Sequence, residues 1–167
     1  MTAWFATLGE ALADAERALV RAYLTGLGLE PELSIETVTD FQSANCILVH
    51  PDWDRRWWDA EQRERRHLET KLLASEASGQ LLRTLSQAVD DSLVAEQGAA
   101  FAPLASFGCT DERLNRVAAG ALAEALHLSR LADLSGAAPS HPFSLKRAIF
   151  AGGHWPLVVL GGRFYVF

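Results

Sequence analysis

The sequence predicts an α+β fold in which three to four amphipathic helices pack on a mainly antiparallel sheet that ends in a C-terminal β-hairpin. Apolar residues recur at helical spacing in several long segments, which indicates helices with one buried face. Two apolar runs near the C-terminus are separated by Gly161 and Gly162, which is typical of a hairpin. With 167 residues, of which 49% are hydrophobic and 22% charged, we expect a single globular domain over residues 1–167.

The first predicted helix covers residues 7–25. Leu8, Leu12 and Leu19 fall on one face of this segment, and Thr7 precedes it in the position of an N-cap. Two glycines and a proline follow directly after residue 25 and are expected to end the helix.

A change of period predicts a β-hairpin after this helix. Apolar and polar residues alternate over residues 33–38, as on a strand with one buried face. The continuous apolar run of residues 46–49 then predicts a second, more buried strand.

A long helix is predicted from about residue 55 to residue 74, with Asp54 as its cap. Its middle, residues 61–67, contains no apolar side chain, so we expect this part to be exposed on all sides. Trp57 and Trp58 at the start and leucines at the end would then attach the helix to the core.

Three further segments follow in the sequence. Residues 81–97 predict another amphipathic helix, whereas residues 99–107 are apolar but contain Pro103, which favours an edge strand or a packed loop. Thr110 can cap a long helix that reaches about residue 134.

The C-terminal part predicts a short helix over residues 144–150 and a hairpin over residues 154–167. Both hairpin strands are apolar on both faces apart from Arg163 and the Tyr165 hydroxyl, so each face needs cover from helices or from another chain. A homodimer formed through the hairpin is therefore one expectation.

The charge of the chain favours a protein partner over nucleic acid or a membrane. The net charge is −6, and residues 1–50 hold seven acidic side chains against two basic ones, which favours a basic partner protein. Five arginines between residues 52 and 69 are outnumbered by six acids, which argues against nucleic-acid binding. No apolar stretch or leader pattern indicates a membrane span or export, so we expect a cytoplasmic protein.

The most informative cluster consists of three tryptophans within six residues. Tryptophan is common both in cores and at protein interfaces, so internal packing and partner contact are both open. Together with acids of the N-terminal part, the predicted partner-binding residues are Trp53, Trp57, Trp58, Glu32, Glu36 and Asp40.

Reactive side chains are present but follow no catalytic spacing. An alternative pocket would need His50, Cys109, His141 and His154 to converge, beside Trp53. His50, Asp52 and Asp54 alternate like metal ligands, but the aspartates are explained as turn and cap residues, and no metal or cofactor is predicted.

These observations favour a small acidic protein-interaction module, either an inhibitor of the toxin-neutralising type or an accessory subunit of a complex. The alternative is a small enzyme or ligand-binding sensor with a pocket near His50, Trp53 and Cys109. The sequence provides no basis for assigning a reaction.

Overall fold

A computed structural model describes residues 4–29, 33–74 and 111–167, together with Gln80, Arg83, Thr84 and Gln87. The three continuous ranges form five helices and one three-stranded sheet, which is an α+β arrangement with more helices than the predicted three to four. In chain order the elements are α1 (Asp14–Gly26), β1 (Ser34–Thr37), α2 (Phe41–Leu48), α3 (Arg56–Leu73), α4 (Glu112–Leu134), α5 (Pro142–Ala151), β2 (Pro156–Leu160) and β3 (Arg163–Val166).

The sheet is mixed, which corrects the prediction of a mainly antiparallel sheet. Strand β3 lies in the centre, pairs antiparallel with β2 and runs parallel to β1, with Ser34 opposite Arg163. The C-terminal hairpin is present, and its turn places Gly161 and Gly162 at φ of 57° and 75°. A parallel pair needs a long connection between its strands, and helices α2 to α5 lie in that connection.

The hairpin predicted over residues 33–49 is wrong in its second half, which forms helix α2. Asp40 caps this helix, since its Oδ1 accepts a hydrogen bond from the Ser43 amide at 2.8 Å and its Oδ2 accepts one from Ser43 Oγ at 2.8 Å. Phe41, Ala44 and Leu48 then face the core at helical spacing. The apolar run of residues 46–49 is therefore the end of a helix.

Two other helices begin at positions different from the predicted ones. Helix α1 begins at Asp14, where the Ala13 amide donates to Glu16 Oε2 at 2.7 Å, and Thr7 lies in a preceding turn. Helix α5 begins at Pro142, two residues earlier than predicted, because proline is favoured in the first helical turn.

Helix α3 has nearly the predicted bounds, but its N-cap is Arg55, which forms no side-chain cap hydrogen bond, and not the predicted Asp54. Helix α4 matches the predicted C-terminal bound. The α4 cap that the structure describes is Asp111, whose Oδ1 accepts from the amides of Arg113 at 2.8 Å and Leu114 at 3.4 Å. Thr110, the predicted cap, lies outside the described residues.

Two apolar clusters cover the sheet. The aromatic core, named for Phe5, Phe150 and Trp155, contains two edge-to-face ring pairs with centroid distances of 5.9 and 6.1 Å. The second core contains residues of α1, α3, α5 and all three strands, including Val20, Tyr23, Leu24, Ile35, Trp57, Ile149, Val159 and Phe164. Helices of the same chain thus cover the hairpin, and a homodimer through it stays a prediction.

Part of the predicted organisation lies outside the described residues. Of the helix predicted over residues 81–97, only Arg83, Thr84 and Gln87 are described, and they are helical. The apolar segment 99–107 is not among the described residues. Within the described part of the chain, no helix is long and apolar enough to cross a membrane.

Candidate functional site

The middle of α3 is buried on one side, which corrects the prediction of an exposed segment. Glu61 is 0% exposed, and its carboxylate binds the Lys146 ammonium of α5 with Nζ–O distances of 2.8 and 2.9 Å. A buried charge is tolerated when it is paired and hydrogen-bonded. Because α5 supplies that partner, a helix turn without any apolar residue enters the core.

Tyr23, Trp57, Glu61 and Lys146 form a buried quartet from three helices. Tyr23 donates its hydroxyl proton to Glu61 Oε1 at 2.6 Å, and the Trp57 indole N–H donates to the Tyr23 hydroxyl oxygen at 2.5 Å. Lys146 Nζ lies 5.3 Å from the centroid of the Trp57 ring, within cation–π range. The four side chains therefore fix one another's positions.

Burial keeps the Tyr23 hydroxyl protonated. Loss of solvation raises the pKa of Tyr23 well above its ordinary value of 10.0, and the neighbouring Glu61 carboxylate raises it further. Tyr23 therefore acts as the donor to Glu61 and as the acceptor for Trp57.

A second polar contact joins the same part of α3 to α5. Phe143 N–H donates to His141 Nδ1 at 3.2 Å, so His141 caps α5 with this nitrogen. His141 Nε2 then carries the proton and donates to Glu64 at 3.0 Å, a tautomer that follows from the hydrogen-bond geometry. The role of His141 is to attach α5 to α3.

A cleft of about 380 Å³ lies on the outer side of Trp57. Its lining divides into apolar and charged residues: the apolar floor consists of Leu29, Leu33, Trp57 and Val159, and the rim carries Asp54, Arg56, Asp59 and Arg63, beside Gly28. This volume lies within the range of roughly 300–1,000 Å³ that is usual for binding pockets. The cleft thus combines apolar and charged parts.

The end of helix α1 builds one wall of the cleft. Gly28 has a φ of 74°, and two bonds close a Schellman turn: Leu29 N–H to Leu24 O at 3.0 Å and Gly28 N–H to Thr25 O at 2.9 Å. A side chain at position 28 would be strained in this conformation. The turn brings Leu29 to the cleft.

The tryptophan segment builds the opposite wall. The Asp54 amide donates to Val159 O at 2.7 Å and thereby binds this segment to β2. The Asp54 carboxylate accepts from the backbone and side chain of Arg56, each at 2.8 Å, and this side-chain bond lowers the pKa of Asp54. Asp54 and Arg56 thus largely neutralise each other.

Asp59 and Arg63 are the rim charges that remain available. Both are exposed and lie one turn apart on α3, yet neither forms an ion pair with another described residue. Two opposite charges at the edge of an apolar floor could orient a ligand.

The structure does not assemble the predicted partner-binding residues into one surface. Trp57 is 7% exposed and belongs to the second core, while Trp53 and Trp58 are half-buried. Glu36 lies on β1, at the sheet edge opposite β2, and the exposed Asp40 serves as the cap of α2. Glu32 lies outside the described residues.

The alternative pocket is not formed by the residues that are described. His50 is exposed and its Nδ1 accepts from the Asp52 amide at 3.1 Å. His141 and His154 flank the ten-residue helix α5 and are therefore on the order of 15 Å apart. Cys109 is not among the described residues.

The surroundings of His154 do not form a catalytic relay. Thr7 Oγ1 and Glu16 Oε1 both lie 3.3 Å from the same ring nitrogen, Nε2, and the Thr7 hydroxyl donates to Gly152 O at 3.1 Å. A relay of nucleophile, base and acid uses both ring nitrogens. His154 Nδ1 is buried without a hydrogen-bond partner among the described residues.

Sequence reasoning missed Tyr23, Glu61 and Lys146. One signal was available for Lys146, because it shares a helical face with Phe143, Ile149 and Phe150, and all three are buried. A lysine in the middle of an apolar face needs a buried acid from another element. The sequence alone does not identify that acid.

No metal site is found in the part of the chain that the structure describes, where no three His, Cys, Asp or Glu side chains lie close enough together to bind an ion. Comparison of the chain with protein-family models, curated proteins and solved structures gives no match. The cleft and the quartet behind it are therefore the features of this chain that bear on its function.

Proposed function

We propose that this chain is a small acidic protein-interaction module of the cytoplasm, acting as an inhibitor of the toxin-neutralising type or as an accessory subunit, and that its partner binds at the cleft. The observation that carries the proposal is the apolar floor of the cleft with the rim charges Asp59 and Arg63. An apolar centre within a polar rim is the usual arrangement of a protein interface.

The cleft offers both affinity and orientation. Burial of one large apolar side chain of a partner on the floor would contribute about 1.5–3 kcal/mol. Opposite charges of the partner would pair with Asp59 and Arg63 and set its orientation more than its affinity. The net charge of −6 also favours a basic partner at the encounter stage.

The quartet makes the cleft a preorganised surface. Trp57 lies in the floor of the cleft and is held by the Tyr23 hydroxyl and by the Lys146 ammonium. A side chain that is fixed before binding loses little conformational entropy when the partner arrives, which raises affinity.

Site-specific cross-linking tests this proposal. A photo-reactive amino acid replaces Arg63 at the rim, and the matched control replaces Arg116 on α4, whose side chain is 72% exposed. We expect one protein from the native lysate to cross-link from position 63 and not from position 116. An excess of parent protein should compete with it, whereas an excess of the Asp59→Arg, Arg63→Glu variant should not. Equal cross-linking from both positions, or equal competition by the variant, would contradict the proposal.

The second candidate is a small-ligand sensor that uses the same cleft. Its support is the volume of about 380 Å³, which a small molecule could fill. The pocket would then lie at Trp57 and not near His50 and Cys109. Absence of any protein cross-link, together with a rise in melting temperature on addition of a small molecule, would favour this candidate.

A further inference from the structure

We infer that the cleft selects an uncharged aliphatic side chain and rejects a cation, although a tryptophan lies in its floor. That a partner protein inserts such a side chain depends on the proposed function. The preference of the cleft itself depends only on Trp57 and its neighbours. Tryptophan rings often bind cations, so a preference for an aliphatic group is the opposite of the usual one, and a binding measurement distinguishes the two.

The Trp57 side chain presents no free polar group to the cleft. Its only donor, the indole N–H, is bound to the Tyr23 hydroxyl, which in turn donates to Glu61. What remains of Trp57 for a ligand is ring carbon. A ligand that needs a hydrogen bond from the Trp57 side chain would not find one.

The Trp57 ring already lies beside a cation, the Lys146 ammonium. Lys146 Nζ lies 5.3 Å from the ring centroid and is held there by Glu61. The attraction of a ring for a cation comes from its quadrupole, and a second cation near the same ring would meet the charge of the first. The rim does not offset this effect with a net negative charge, since Asp54 and Asp59 are balanced by Arg56 and Arg63.

The side chains in the rest of the floor are apolar. Those of Leu29, Leu33 and Val159 would remove water from a cation without replacing it. An aliphatic side chain has no such penalty and gains from the same contact. The rim charges Asp59 and Arg63 would then pair with a basic and an acidic group on either side of that aliphatic residue.

Titration with two small probes tests the inference by NMR on the full-length, ¹⁵N-labelled protein. The aliphatic probe is N-acetyl-leucine methylamide, and the cationic probe is tetramethylammonium. We expect the leucine probe to shift the Trp57 indole N–H and the amides of Leu33 and Val159 in a saturable way. Tetramethylammonium should bind at least about tenfold more weakly, a difference of about 1.4 kcal/mol. Equal or tighter binding of the cation, or no saturable shift with the leucine probe, would overturn the inference.

A floor variant provides the second measurement. Leu29→Asp places a charge in the half-buried floor, and Leu19→Asp is the matched control at a half-buried leucine outside this cleft. The leucine probe should bind Leu29→Asp roughly tenfold more weakly and bind the control like the parent. Unchanged binding to Leu29→Asp would overturn the inference.

The two proposals fail in different ways. If the probes behave as expected but no protein cross-links at position 63, the cleft is an aliphatic ligand site and only the interaction proposal falls. If a protein cross-links but the cation is the better probe, only the inferred selectivity falls.

Discussion

The aromatic core and the second core are equally buried but are built from different chemistry. The aromatic core around Phe5, Phe150 and Trp155 consists of ring contacts between apolar side chains. The second core is crossed by the quartet, in which a full ion pair and two hydrogen bonds lie among apolar residues. The comparison shows that the extent of burial alone does not indicate which substitutions destabilise a core.

The two cores should fail for different reasons. In the aromatic core a substitution costs stability through lost apolar burial and through the cavity that it leaves, so the effect depends on volume. In the quartet the removal of one polar group leaves its partner buried without compensation, so the effect depends on charge. Substitutions that conserve volume distinguish these cases.

The largest effect is expected for Lys146→Met, which retains the length of the side chain and removes its charge. Glu61 would remain buried as an unpaired carboxylate, and the free energy of unfolding should fall by about 3–5 kcal/mol. The matched control is Arg147→Met, at the neighbouring exposed position of α5. Urea unfolding measures both. A loss below about 1 kcal/mol for Lys146→Met would show that the ion pair is not needed in this core.

A smaller effect is expected for Tyr23→Phe, which removes one oxygen atom. The Trp57 indole N–H would lose its acceptor and Glu61 would lose a donor, at a cost of about 1–3 kcal/mol. The variant should also change the alkaline limb of the stability profile. The folded state holds the Tyr23 proton more tightly than the unfolded chain, whose tyrosine has a pKa near 10.0. The contribution of this proton to parent stability is therefore fully present below pH 10 and is lost as the pH rises toward the higher folded-state pKa of Tyr23, and this part of the decline should be missing in Tyr23→Phe.

Phe150→Leu in the aromatic core is the control for that pH dependence. It lowers stability through lost packing but changes no titrating group, so its alkaline decline should parallel that of the parent. Stability measured by urea unfolding from pH 8 to pH 11 tests both variants. Parallel declines for all three proteins would contradict the assignment of this effect to Tyr23.

The smallest effect is expected for Asp40→Ala, at the cap of the helix that covers the aromatic core. Phe41 of α2 packs edge-to-face on Phe167 with centroids 4.9 Å apart, so a weaker cap should loosen this cover. The bonds from Ser43 lower the pKa of Asp40 below 3.8. The cap therefore stabilises the fold above pH 3.8 and loses its effect as the pH falls through the folded pKa. The melting temperatures of parent and variant should differ at pH 7 and approach each other at low pH, whereas Gln42→Ala should match the parent at both.

Local patterns were sufficient to predict α3, the C-terminal hairpin and the C-terminal end of α4. Each of these elements is specified by residues close in sequence: a cap or turn residue, a period, and a change of composition at the end. The Gly161–Gly162 turn is the clearest case, since both residues have positive φ. The second strand predicted at residues 46–49 failed because a run of four apolar residues does not separate a strand from the last turn of a helix.

The features that could not be predicted depend on residues far apart in sequence. The parallel pairing of β1 with β3 has no local signature, and neither has the pairing of Glu61 with Lys146, 85 positions later. Glu61 in isolation has the pattern of a surface residue. The tryptophan segment was singled out in the sequence, but Gly28, Leu29 and Leu33 on the other side of the cleft belong to another part of the chain.

The central position of β3 has a consequence for biosynthesis. Its neighbour β1 is made about 130 residues earlier, since Ser34 lies opposite Arg163. At a translation rate of about 5–20 residues per second, β1 must wait roughly 6–26 s for its strand partner. During this interval the β1 segment lacks its strand partner. In the finished protein Arg17, which is synthesised before β1, donates to the carbonyl of Ile35 at 3.0 Å, so one backbone acceptor of β1 is satisfied from within the N-terminal part of the chain.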